Sequence, residues 1–502
     1  MGPTPNLAPA RAWAGAFFIG LACDRERQGE EEKVAARPPR LKLSLWVLCL
    51  IGSANGQQAL DWKAGVARAN ITPQAPIRMA GYATRTTPSQ GVDIDLHLKA
   101  LALEDRDGQR ALILTADIIG FPGSLAERIA RRLEVEGRVA RNRILLVGSH
   151  THAGPIVTVR LGDRLTPEER DVIERYTAWL ENTAVETGLQ ALGKLEPVEL
   201  AWSTGVASFV MNRREFTEKG VILGVNARRP ADRSVPVLRV SRKDGTLLAI
   251  VFSVACHPTT LTGEHLRING DYPGYAQAYL EGAFPGTQAM FLIGCGGDAN
   301  PYPRGTLELA QRHGLELGRE VQRVVKESPF KTIRGPLQAD LDWVDLPLQK
   351  FERAQLEGWS QQKVPSYYRF FVDEALALLR DGKPLPSSYR APFAVWQFGQ
   401  DLTLVAFSGE TVSGYVYLTE RAIGPLNLWV IGYANDLFGY LPTAQVLEEG
   451  GYETRGLYTS VGLFTPEVER VVMESIVRMA HKVGRTLREP AATGRLGLVT
   501  SQ

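Results

Sequence analysis

Arg143-Ile144-Leu145-Leu146-Val147-Gly148-Ser149-His150-Thr151-His152-Ala153-Gly154-Pro155 is an apolar run that passes straight into two histidines and then breaks at Gly-Pro. The run has no polar alternation, so it reads as a short strand buried on both faces. On an extended strand, side chains two apart share a face, and His150 and His152 are expected to reach one point. Imidazole is the commonest metal ligand, and zinc suits it. The same two histidines could instead merely hydrogen-bond the Gly-Pro turn, and the segment alone leaves both readings open.

Working outward, residues 111–116, 247–252, 289–293 and 402–407 repeat the pattern of a short continuous apolar strand. Between them, residues 124–136, 167–192, 271–281, 307–326, 411–422 and 465–487 carry apolar residues at three-to-four spacing, which predicts helices. The alternation predicts an α/β fold, a mixed β-sheet core flanked by helices in a single large catalytic domain. Residues 349–392 break the pattern with Tyr367-Tyr368-Arg369-Phe370-Phe371, an amphipathic 372–380 and a Pro-rich 384–392, and read as an insertion or lid.

The chain has 502 residues, 44% hydrophobic and 22% charged, an ordinary globular composition with enough apolar material for a large core. Its net charge of +2, without a long basic run, excludes the electrostatic footprint of a nucleic-acid binder. Near the start, Arg37-Pro38-Pro39-Arg40-Leu41-Lys42 precedes an apolar run over 43–51 and then Gly52-Ser53-Ala54-Asn55-Gly56-Gln57. This reads as a signal peptide cleaved after Gly56, the run being too short to span a bilayer, and implies export to the periplasm or the medium. Upstream, the polar 24–37 and the apolar patch 13–23 read as an over-extended start. The expected plan is residues 1–56 removed, 57–490 as one large domain and 491–502 as a tail. Cys23 and Cys49 fall in the removed part; Cys256 and Cys295 remain, as a disulfide or as two buried thiols.

Other strands also end in unusual polar residues. The 247–252 run leads through Ser253-Val254-Ala255-Cys256 to His257-Pro258, the 289–293 run to Asp298 and Asn300, and the 402–407 run to Glu410. In α/β sheets, ligands bind beyond the carboxyl ends of strands. His150, His257 and Glu410 would give two imidazoles and a carboxylate, the donor set of a catalytic zinc with a position kept for water. Alternatively, His257 caps a strand before Pro258, and Glu410 opens a helix whose dipole favours a carboxylate there. A tyrosine cluster at Tyr433, Tyr440, Tyr452 and Tyr458 reads first as an aromatic wall, with oxyanion donation or phenolate ligation as alternatives.

In order along the chain, these pieces resemble the catalytic domain of the neutral/alkaline (non-lysosomal) ceramidases. Gly65-Val-Ala-Arg-Ala-Asn-Ile-Thr-Pro73 with Met79-Ala-Gly-Tyr82 resembles the family's opening strand and Gly-Tyr turn, and Ser149-His-Thr-His-Ala-Gly-Pro155 is similar to its Thr-His-Thr-His-Ser-Gly-Pro signature. Asn269-Gly-Asp271-Tyr-Pro-Gly-Tyr-Ala276 resembles the segment after the second histidine, and Gly432-Tyr-Ala-Asn435 through Tyr440, then Tyr452-Glu453, resembles the closing tyrosine motif. The resemblance implies zinc (Zn2+) bound by His150, His257, Glu410 and Tyr440. It also implies that His152, Arg213 and Tyr452 line the site and handle the amide or its oxyanion. Where the family has serine in Gly-Asp-x-Ser-Pro, this chain has Gly297-Asp298-Ala299-Asn300-Pro301. Asn300 cannot act as a hydroxyl, though its amide can position a substrate or an oxyanion. The family's C-terminal β-sandwich is expected to be absent.

The expected activity is zinc-dependent hydrolysis of an N-acyl amide, ceramide to sphingoid base and fatty acid. Two alternatives stand beside it: a zinc hydrolase of another amide or ester, and a catalytically silent binding protein of the same fold. The expected partner is a small-molecule or lipid amide, with transient contact to a membrane surface; the oligomeric state is left open.

Overall fold

A computed structural model of the chain describes residues 61–157, 165–362 and 364–486. The signal peptide and the tail read from the sequence lie outside these residues, as does the end of the last helix read at 487. No helix of the described residues is long and apolar enough to cross a membrane.

The main sheet runs, edge to edge, Gln288–Ile293, Leu247–Val254, Ser234–Arg242, Glu196–Val206, Trp62–Asn70, His97–Asp105, Arg110–Ala116 and Ile144–Gly148, with the short Lys331–Ile333 also pairing Glu196–Val206. Its inner neighbours are antiparallel, whereas the pair at each edge is parallel: Leu247–Val254 with Gln288–Ile293, and Arg110–Ala116 with Ile144–Gly148. Those four edge strands are the ones whose sequence lacks alternation, as expected for strands covered on both faces. The helices fall close to where periodicity places them. Pro167–Leu192 opens on a capping box in which Thr166 accepts from the Glu169 N–H while the Glu169 carboxylate accepts from the Thr166 N–H.

A second, four-stranded sheet joins Leu337–Pro347, Ser388–Phe398, Leu402–Ala406 and Leu428–Ile431, its last pair parallel. Helix Glu467–Lys482 buries Val468, Val472, Ile476 and Met479 in the core beside it. Residues 349–392 are therefore only partly an insertion. Arg353–Gln361 and Ser366–Arg380 are helices around Leu356, Phe371 and Val372, but Ser388 onward is a strand of this sheet. Its Pro392 is tolerated because residues 388–393 pair on one side alone; the second neighbour begins at Ala394. Cys256 and Cys295 are both buried free thiols, which settles the disulfide alternative.

Candidate functional site

The two histidines of the opening motif converge, but not by sharing a strand face. The strand stops at Gly148, and His150 takes a left-handed φ of 65°. Its N–H is held by the Ile118 carbonyl at 3.0 Å. The turn then brings His152 back, so that the two Nε2 atoms lie 3.2 Å apart. Such a backbone costs a non-glycine residue on the order of 1–3 kcal/mol and persists only where its surroundings hold it.

His257 arrives from the opposite edge of the same sheet, just after Leu247–Val254, with its ring 4.8 Å from that of His150. The loop that closes this gap is Gly432-Tyr433-Ala434-Asn435. The Gly432 N–H donates to Ile293 O at 3.1 Å and the Asn435 N–H to Leu146 O at 2.8 Å, so one segment reaches the parallel pair at each edge. Tyr433 and Asn435 also have positive φ, and the Tyr433 ring lies 4.5 Å from His150.

The ring nitrogens reveal what the site needs. His150 Nδ1 lies 2.6 Å from Ile119 O and His257 Nδ1 lies 2.7 Å from Gly296 O. A carbonyl only accepts, so both Nδ1 atoms carry a proton, and in the neutral ring form that a metal ligand takes both Nε2 lone pairs face inward. Burial, reinforced by Arg213, pushes His257 down to about 4, and burial with the two neighbouring imidazoles holds His152 well below the usual histidine range. Neutral His257 Nε2 nevertheless sits 2.9 Å from Glu410 Oε2, and His150 Nε2 sits 3.4 Å from the same oxygen. Lone pairs facing a buried carboxylate are repulsive unless a cation lies among them, and His150, His152 and His257 offer ring nitrogens within 4.8 Å of one another. These residues fit a metal ion.

Glu410 does not begin a helix. It forms the two-residue strand Glu410–Thr411, parallel to Tyr440–Leu441, with Glu410 directly opposite Tyr440; the following helix starts at Gly414.

Beside this cluster stands Arg213, buried and fully engaged. Its Nη2 donates to Tyr440 Oη at 2.7 Å, Nε to Glu453 Oε1 at 2.9 Å and Nη1 to Asn300 Oδ1 at 3.3 Å. Thr259 Oγ1 donates to the same Asn300 oxygen at 3.1 Å, which fixes the amide orientation and turns Nδ2 away from both donors. Tyr452 completes the group, its ring 5.6 Å from Tyr440 and 5.8 Å from the Arg213 guanidinium.

The structure thus gathers all eight residues singled out in the sequence, in two adjoining sets. Three participants, Glu453, Thr259 and Tyr82, were not assigned a role there, and Tyr433 was read only as part of an aromatic wall. Glu453 bridges Arg213 and the fully buried Arg214, 2.5 Å from the latter. Tyr433 packs on His150, Thr259 orients Asn300, and Tyr82 meets the His152 ring edge-on at 5.1 Å. Gly81 beside it has φ 92°, and any side chain there would fall 2.4 Å from the His152 ring. Tyr82, Tyr433 and Glu453 stood inside quoted motifs, while Thr259 carried no signal beyond proximity to His257. Asp298 stays outside the imidazole set; it holds Ser413 and Asn212 instead, at 2.7 and 3.2 Å.

Comparisons with known proteins return one sequence family and one fold. The family model described as neutral/alkaline non-lysosomal ceramidase, N-terminal, matches residues 62–295. Neutral ceramidase of Drosophila melanogaster is 23% identical over 252 residues, 48% of this chain and 35% of that protein. Neutral ceramidase B of Dictyostelium discoideum is 23% identical over 249 residues, 46% of this chain and 34% of that protein, so the matched part spans about a third of either relative. Among solved structures, a ceramidase complexed with C2 superposes with a TM-score of 0.66 at 17% identity, covering 86% of this chain and 77% of that one. Neutral ceramidase from Pseudomonas aeruginosa gives 0.64 at 18% identity, covering 86% and 76%. Residues 62–295 carry the neutral/alkaline ceramidase N-terminal family pattern, and the chain has the ceramidase fold over most of its length.

Proposed function

We propose that the chain is a zinc-dependent amidohydrolase that cleaves a linear N-acyl amide, with ceramide as its substrate class. The observation that carries this reading is the buried meeting of inward lone pairs on His150 and His257 with the Glu410 carboxylate. The family match and the fold support the amide chemistry. His150, His257 and Glu410 would hold the ion, with Tyr440 as fourth ligand. Zinc supplies Lewis-acid polarisation of the carbonyl and an activated water at neutral pH.

The chain's own residues do the rest. Neutral His152, whose buried Nδ1 has no hydrogen-bond partner among the described residues, accepts a proton and returns it to the departing amine. Arg213 fixes the Tyr440 hydroxyl and presents fixed positive charge where an oxyanion develops, with Tyr452 beside it. Asn300 Nδ2 donates to the substrate, replacing the hydroxyl that the family's serine would offer.

One observation favours a second ligand set. The three imidazoles approach one another closely enough for His152 to enter the coordination sphere in place of Tyr440. His152→Ala separates the two: retained metal with lost turnover assigns proton transfer, and lost metal assigns ligation.

The test of function is chelator-sensitive release of fatty acid from a fluorescent ceramide, run beside a short-chain N-acyl amino acid. Ceramide turnover restored by zinc is expected. Turnover of the soluble amide alone would move the enzyme to another substrate class, and a zinc-loaded protein that turns over neither would be a silent binding protein.

A further inference from the structure

Arg213 is followed at once by a β-hairpin, Arg214–Thr217 paired with Gly220–Leu223, that joins no further strand in a sheet among the described residues. Four of the twelve large apolar side chains exposed among those residues fall within 216–225: Phe216 at 52%, Ile222 at 46%, Leu223 at 49% and Val225 at 42%. Scattered exposed hydrophobics are ordinary, but a third of them on one protruding ribbon is a patch.

The register shows how they are distributed. Phe216 faces Val221 and Arg214 faces Leu223, so Phe216 and Leu223 leave from one side of the ribbon, while Ile222, opposite Glu215, leaves from the other. A protein partner covers one side of a ribbon; a fluid apolar phase wraps both. Charge at the tip is balanced, with Glu218 beside Lys219, and the Glu215 carboxylate turns back to accept the Val225 N–H at 3.2 Å. Arg229 lies over the Phe216 ring at 5.2 Å with its charge paired to Glu449. Apolar arms joined by a turn whose two charges cancel suit a zwitterionic interface better than a strongly anionic one.

The ribbon is rigidly tied to the site. The Gly224 N–H donates to Arg213 O at 2.7 Å, the Asn226 N–H to Asn212 O at 2.8 Å, and Asn226 Nδ2 to Arg214 O at 2.7 Å. Val221 packs where a side chain on Gly451, the neighbour of Tyr452, would stand.

We propose that the 214–225 hairpin is an interfacial anchor that seats the apolar side chains of its arms in a zwitterionic lipid surface and holds the Arg213–Tyr452 side of the site against it. This goes beyond the amidase reading and stands without it, because anchoring needs neither metal nor turnover.

The test is flotation of the full chain with phosphatidylcholine vesicles containing no amide lipid, comparing the parent with Ile222→Ser/Leu223→Ser. Both share the same N-terminus, so any binding through that segment cancels. Half-exposed side chains of this size predict about a tenfold fall in the partition coefficient of the double variant. Equal flotation of the two proteins, or flotation of neither, overturns the proposal. So does a concentration-dependent dimer in lipid-free solution that the double variant abolishes, since the patch would then be covered by a second copy. Should the double variant melt early, Ile222→Trp decides: brominated phosphatidylcholine must quench its added fluorescence relative to the parent, and no added quenching refutes insertion.

Discussion

The imidazole set and the arginine set lie side by side, yet their hydrogen bonding is opposite. Around His150, His257 and Glu410, acceptors face acceptors, and burial keeps the histidines His152 and His257 neutral. Around Arg213, every nitrogen of the guanidinium already has an acceptor, and the charge is compensated by Glu453. Burial works against that charge, but Tyr440 and Glu453 reverse the balance and hold it firmly protonated. One half is arranged to take up a positive charge; the other carries its own and is complete as folded. The difference teaches that losing the metal and losing the oxyanion support should be separable defects.

Breaking the imidazole half should have the largest effect. His257→Ala is expected to release the metal and lower amide turnover by about a thousandfold or more, measured by elemental analysis beside steady-state assay. Glu453→Gln attacks the other half. It leaves Arg213 and Arg214 facing a neutral amide, and breaking such buried pairs costs about 3–5 kcal/mol, read by denaturant unfolding. Metal content should stay that of the parent while turnover falls by about a hundredfold, because Arg213 loses its orientation. If Glu453→Gln lost the metal, the two halves would be one unit.

A milder change sharpens the boundary. Asn300→Ser exchanges the amide for the family's hydroxyl and removes an acceptor of Arg213 and Thr259. Turnover should shift by about tenfold with metal retained. The smallest effect on turnover lies on the closing loop, where the change is read in stability instead. Burial pushes Asp436 up to about 7, against the bonds it accepts from the Tyr389 hydroxyl and the Gly123 N–H. Between the ordinary carboxylate pKa and 7, the folded chain keeps a proton that the unfolded chain has released, so stability falls as pH rises through this window. Asp436→Asn should flatten that slope, by a few kcal/mol at most, in melting curves taken from pH 5 to 8.

Much of the site was legible because its residues sit at the ends of apolar runs, where an α/β fold presents side chains to a crevice. The route was less so. His150 and His152 converge through a left-handed turn rather than along a strand, and nothing local announces a positive φ at a histidine. Glu410 meets Tyr440 through a two-residue parallel pair, and Arg213 meets Glu453 across 240 residues; neither leaves a periodic trace. The fold shows the same division. Edge strands without alternation were readable, but Glu196–Val206 and Leu337–Pro347 mix buried and solvent-facing positions and went unread. Pro392 made a real strand look like a loop, because the absence of a neighbour on one side is a tertiary fact.

The central claim is that the facing lone pairs of His150, His257 and Glu410 require a cation. The most direct test is metal stoichiometry of the purified protein by elemental analysis, before and after chelation, with zinc titrated back. The account predicts about one zinc per chain in the parent and none in His150→Ala of unchanged fold. A folded parent that neither retains nor rebinds zinc, or a His150→Ala protein that holds it in full, would contradict it.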